Sequence, residues 1–132
     1  MTRLIPALVF LSAAAAFAET ADTPGSKDPA MFTRMPNFFI AAYSDKQFDS
    51  VDFTVKKGED TETRTVEGHF VRIHYMFDDS RGAKEPSPLQ VIRNYKTAAL
   101  KAGAEILLER GAEELTLRLV SGSRETWIGV RD

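Results

Sequence analysis

Gly68-His69-Phe70-Val71-Arg72-Ile73-His74-Tyr75-Met76-Phe77 is followed, after a charged connection, by Ser87-Pro88-Leu89-Gln90 and an apolar periodicity that runs out at Gly103. These two segments decide the fold class. The first alternates as a strand does, with Val71, Ile73, Tyr75 and Phe77 on one side and Phe70, Arg72, His74 and Met76 on the other. Gly68 within that pattern predicts a bulge or a close backbone crossing. The second is a helix. Ser87 can cap it, Pro88 suits the first helical position, and Gln90 completes a capping box. At about 100° per residue, Leu89, Val91, Ile92, Tyr95, Ala98, Ala99, Leu100 and Ala102 share one arc. Gln90, Arg93, Asn94, Thr97 and Lys101 take the opposite arc, and only Lys96 intrudes on the apolar side. Gly103 stands where a left-handed residue would close the helix.

Working outward, residues 37–43 and 48–56 read as two strands separated by the polar Ser44-Asp45-Lys46-Gln47. Lys57-Gly58-Glu59-Asp60 is a turn, and 61–65 leads into the long strand. Beyond the helix, 104–109 is a short strand. Leu115, Leu117 and Leu119 then alternate with Thr116, Arg118 and Val120, Ser121-Gly122-Ser123 forms a hairpin tip, and 125–130 returns. The expected class is α+β: about six strands in the order βββαβββ, mainly antiparallel, with one amphipathic helix packed on one face.

The 132 residues suit a single domain. With 43% hydrophobic and 27% charged residues and a formal net charge of -2, nothing in the composition draws the chain toward nucleic acid. There is no cysteine, which excludes disulfides, thiolate sites and a lipid anchor on an N-terminal cysteine. Arg3, the apolar run that follows it and Ala16-Phe17-Ala18 form the three zones of a secretory signal. Residues 1–18 are expected to be removed after Ala18. A membrane anchor is the competing reading, but the run is shorter than the roughly 20 residues a bilayer requires. The mature chain would then carry no transmembrane span and, in a diderm bacterium, would be a soluble periplasmic protein. Residues 19–30 are polar and expected to be a flexible leader. Residues 31–132 form the domain, whose last strand ends so close to Asp132 that a shortened chain is expected. Met31, Phe32 and Met35 should lie against the domain, and Phe32 and Met35 are the candidate partner contacts.

Reaction chemistry finds little foothold. His69 and His74 project from opposite faces of one strand and cannot share a metal. Asp78-Asp79-Ser80-Arg81-Gly82 lacks the spaced oxygens and closing glutamate of a calcium loop. Glu113, Glu114, Arg72, Arg118 and Arg124 fit the wet face of a sheet, and Ser121 and Ser123 have no nucleophile-elbow context. No catalytic, cofactor-binding or metal residue is expected.

Arg34-Met35-Pro36, Val66-Glu67-Gly68-His69-Phe70-Val71-Arg72-Ile73-His74-Tyr75, Val91-Ile92-Arg93-Asn94-Tyr95 and Leu100-Lys101-Ala102-Gly103-Ala104, with Trp127-Ile128-Gly129-Val130, carry a resemblance. Over most of residues 28–130 the chain resembles the exported N-terminal region that precedes the peptidoglycan-binding domain in bacterial OmpA-family envelope proteins. The resemblance implies an envelope protein, and its motifs, being structural turns and core positions, say little about activity. That family usually continues for one more strand and often into the OmpA-like domain, and this sequence shows neither, so peptidoglycan binding is expected to carry over to no residue. It often has phenylalanine after the helix glycine, where this chain has Ala104.

The expected function is therefore a non-catalytic periplasmic interaction module. Its partner would be an envelope protein or a cell-wall-associated component, reached through sheet edge, arm or uncovered face. The alternative is a carrier of a small apolar ligand between helix and sheet, and an enzyme ranks last for want of a nucleophile–base pair.

Overall fold

The structure is a computed structural model that describes residues 20–132. The expected signal sequence, 1–18, lies outside the described residues. One long hairpin dominates the fold. β1 (Phe38–Lys57) and β2 (Asp60–Phe77) pair antiparallel from Phe38↔Phe77 down to Lys57↔Asp60. At the usual rise per residue, a strand of this length extends roughly 65 Å. After α1 (Pro88–Lys101), β3 (Glu105–Arg110), β4 (Glu114–Ser121) and β5 (Arg124–Arg131) form a separate three-stranded antiparallel meander.

The antiparallel pairing and the single helix match the sequence reading, but the expected α+β class with its one βββαβββ sheet does not. Among the described residues there are five strands in two sheets, in the order ββαβββ. With 53% of the described residues in strands and 12% helical, the class is mainly β. The error lies in Ser44-Asp45-Lys46-Gln47, expected to break the first strand in two. That stretch holds neither glycine nor proline, and polarity alone leaves the backbone free to pair. β2 offers it an unbroken ladder, so the chain stays extended. What happens instead is a register shift between Lys46 and Asp49, opposite Gly68. Gly68 sits at φ +156, and a Cβ there would meet nothing within 4 Å, so the bulge is present and the close backbone crossing is not.

This bulge marks a change of buried face. Below it, Val51, Phe53 and Val55 pair with Val66, Arg64 and Glu62, and this side is the more buried one. On β2 the less exposed residues run 62, 66, 68, 70 and then jump phase to 73, 75 and 77. Val71 shares the later face with Ile73, Tyr75 and Phe77 but is 39% exposed, whereas those three are half-buried as expected. The ribbon packs with opposite faces at its two ends.

The helix forms as its local signals dictate. Gln90 N–H donates to Ser87 Oγ at 3.2 Å, and Ser87 N–H donates to Gln90 Oε1 at 2.7 Å. At the other end Gly103 N–H reaches Leu100 O at 3.1 Å and Ala104 N–H reaches Ala99 O at 3.0 Å, with Gly103 at φ +87. This is the paired closure of a Schellman motif. It also accounts for Ala104, which is 8% exposed and joins the core cluster with Ala99.

The meander is the middle layer of the lower molecule. Leu115 and Leu117, both fully buried, gather Ile92, Ala99 and Ala104 into one core, with Ile106, Leu119, Ile128, Val130, Tyr95 and Phe32 around it. Lys96, the lone charge on the apolar arc, reaches out to Glu109 at 2.9 Å and leaves its stem on the core. The other face of the meander meets the lower hairpin. Thr116 Oγ1 donates to Thr54 O at 2.8 Å, Trp127 packs on Phe53 with ring centroids 5.5 Å apart, and a Cβ on Gly129 would stand 3.4 Å from Phe53 Cε1. No helix among the described residues is long and apolar enough to cross a membrane, which says nothing of strands.

Candidate interaction surface

The upper hairpin is held from one side by the N-terminal arm. Residues 20–30, expected to be a flexible leader, bury little apolar surface but are tied down by polar contacts. Arg34 donates to Asp22 Oδ1 at 2.8 Å through Nη1 and to Asp28 Oδ1 at 3.0 Å through Nε. Its guanidinium also lies 5.6 Å from the Tyr75 ring centroid, and Tyr75 Oη donates to Asp28 Oδ1 at 2.6 Å. Asp22 Oδ1 accepts from Ile40 N–H at 2.8 Å, and Thr23 N–H donates to Ile40 O at 2.8 Å. The arm therefore closes the outer edge of β1 at Ile40.

The electrostatics follow from these contacts. Hydrogen bonding to Arg34 holds the Asp22 carboxyl below its usual range, and the two aspartates raise the Arg34 guanidinium. Burial, then the bond to Asp28, pushes the Tyr75 phenol up. Asp78 is lowered by Ser80 and by Thr20, whose N–H lies 3.0 Å from Asp78 Oδ2.

Phe32 stacks edge-on against Tyr95 at 5.4 Å, and Met35 is half-buried. The arm thus lies on the domain, with Phe32 spent largely on the helix.

The opposite side of the upper hairpin is uncovered. Register places Phe39, Ala42, Ser44 and Lys46 of β1 beside Met76, His74, Arg72 and Phe70 of β2 on one face. Ala42, Lys46, Arg72, His74 and Met76 are exposed there, whereas the arm-facing side buries Ile40 completely. The face carries three basic side chains and no carboxylate. Lys46 is paired with Asp49 at 3.1 Å, and Arg72 lies over the Phe70 ring at 5.5 Å. Phe48, at the bulge, is 72% exposed. Sequence reading placed Phe70, Arg72, His74 and Met76 together but missed the β1 half of the face. The signal was present in the polar stretch read as a break.

Other singled-out residues sit apart from this surface. His69 Nε2 is 2.6 Å from Asp45 Oδ1, across the ribbon from His74. Glu114 pairs with Arg110 at 3.6 Å and with Arg131 at 3.1 Å. Arg118 Nε donates to Glu125 Oε1 at 2.8 Å, and the same oxygen accepts from Trp127 Nε1 at 2.6 Å. A cavity of about 310 Å³ lies at this seam, lined by Val55, Arg64, Leu107, Arg118, Glu125 and Trp127. Its aromatic ring is already occupied, with Phe53 packed against it and the Arg64 guanidinium 5.6 Å from its centroid. A second cavity of about 340 Å³ lies between the arm and the mouth of the hairpin, lined by Thr20, Asp22, Arg34, Asn37, Phe38 and Asp78. Among the described residues no three His, Asp or Glu converge as a metal cage.

No protein-family model, no curated protein and no solved structure matches this chain. The likeness to the OmpA-family region rests on the residues quoted for it.

Proposed function

We propose that the chain is a non-catalytic interaction module of the bacterial cell envelope, exported with cleavage after Ala18, acting in the periplasm and binding its partner through the upper hairpin. One observation carries this: a ribbon half bedded on its arm and half bare, with aromatic, thioether and basic side chains on the bare side. A surface that mixes those types suits protein contact. The export pattern at 1–18 and the resemblance to an OmpA-family N-terminal region supply the compartment, and an envelope protein or wall-associated component is the partner class. The carrier reading gains no support, since Ile92, Ala99, Leu115 and Leu117 fill the layer between helix and meander.

The test is site-specific photocrosslinking in intact cells. Met76 and Leu100 are about equally exposed, at 48% and 50%, and so form a matched pair. A photoreactive residue at position 76 is expected to capture a discrete partner, and one at position 100 is not. Capture from position 100 alone, or from neither, would overturn the proposal.

A further inference from the structure

The outer edge of β2 differs from every protected edge in the molecule. Among the described residues no backbone group outside β1 bonds to 69–77, while β1 is closed at Ile40 by the arm. Edge strands usually defend themselves with charge, proline, bulges or a cover. The lower half of β2 does so with Asp60, Glu62, Arg64 and Glu67 and the bulge at Gly68. The upper half does not. Residues 69–77 hold Phe70, Val71, Ile73, Tyr75, Met76 and Phe77, no proline and no acid.

Charge selects what covers it. Arg72 is a permanent cation on this face, His74 beside it adds an N–H donor, and no carboxylate lies on the face with them. Two copies pairing antiparallel over the whole of 69–77 would set Arg72 opposite His74 of the other copy, twice, and supply a carboxylate to neither. A strand bearing carboxylates would supply both. The chain already shows this preference on its own ladder, where His69 lies 2.6 Å from Asp45. Arg72 has its guanidinium laid along the Phe70 ring, where an incoming carboxylate on the bare face can reach it.

We propose that the free edge of β2, residues 69–77, takes up an extended acidic segment of a partner protein as a third strand, with carboxylates beside Arg72 and His74 and apolar side chains beside Phe70 and Met76. Backbone hydrogen bonds supply the affinity and the alternating side chains the selectivity. This rests on the interaction-module reading and names its partner's chemistry.

The test uses the mature full chain and two labelled nine-residue valine probes, one with glutamate at its fourth and sixth positions and one with lysine there, so that these side chains fall beside Arg72 and His74 and valines beside Phe70 and Met76, followed by fluorescence anisotropy. The glutamate probe is expected to bind several-fold tighter, as the charge set beside Arg72 changes sign. R72E should reverse the preference and R72Q should narrow it. Because Arg72 is exposed, circular dichroism should show both variants folded. On binding, alternate amides within 69–77 should become protected from exchange. Equal affinity for both probes, a preference unmoved by R72E and R72Q, or protection elsewhere would overturn the inference. So would a dimer that R72E strengthens, which would make a second copy the occupant. If neither probe binds while position 76 still captures a partner in cells, the edge inference falls and the module reading stands.

Discussion

Arg34 is the residue on which the arm turns. One planar fork grips Asp22 and Asp28 and covers Tyr75, and through Asp22 it reaches the Ile40 amide. Replacing it with glutamine removes the charge and most of the fork. The expected result of R34Q is faster hydrogen exchange at the Thr23 amide, which bonds Ile40 O, with the helix amides unchanged. Unaltered protection at Thr23 would assign the arm's hold to its other contacts, among them the Asp22 and Thr23 bonds to Ile40 and the Thr20 bond to Asp78. Tyr75→Phe keeps the ring and deletes the bond to Asp28, at an expected cost of about 1 kcal/mol in denaturant unfolding. Little of this network could be read from the sequence. Asp22, Asp28 and Arg34 look like ordinary leader charges, and Tyr75 stands 47 positions from the aspartate it meets. Composition reports that a segment has nothing apolar to bury, but not that a distant ribbon offers its charges partners.

The elements divide by how local their causes are. The helix could be read because each of its determinants lies within a few residues of the next: Ser87, Pro88, Gln90 and Gly103. Ser87→Ala should cost about 1 kcal/mol through the lost cap, and Gly103→Ala a similar amount, because alanine strains in the left-handed region at φ +87. Thermal unfolding of the two variants measures both, and an unchanged midpoint for either would deny its cap a role. The hairpin could not be read in the same way. Its continuity through 44–47 depends on β2 pairing there, a contact between segments 28 residues apart at Ser44↔Arg72. Its inward residues Ile73, Tyr75 and Phe77 could be inferred from alternation, but the change of buried face near Gly68 could not, because it depends on what covers each half of the ribbon. In the meander, Leu117 is fully buried, and Leu117→Ala should cost about 2–5 kcal/mol.

The whole molecule joins two sheets through one seam and one arm, and its charge pairs lie mostly at the surface. Asp22, Asp49, Asp78 and Glu125 all have carboxyls held below their ordinary values by hydrogen bonds. A folded-state value below the unfolded one stabilises above the unfolded value and is lost as pH falls, so stability should decline as pH drops through 3.8 and below. Tyr75 and Tyr95, raised chiefly by burial, act in the opposite sense: their contribution is full below 10.0 and fades as pH climbs past it. Midpoints of thermal unfolding across pH should therefore form a plateau with an acid and an alkaline shoulder, and Tyr75→Phe should soften the alkaline one. The two-sheet arrangement hides in the sequence for the same reason as the bulge does. Trp127, the chain's single tryptophan, packs on the lower end of the same ribbon. Its emission is expected to shift on binding at 69–77 where twist passes along the strands, and to stay constant where the irregularity between Lys46 and Asp49 absorbs it.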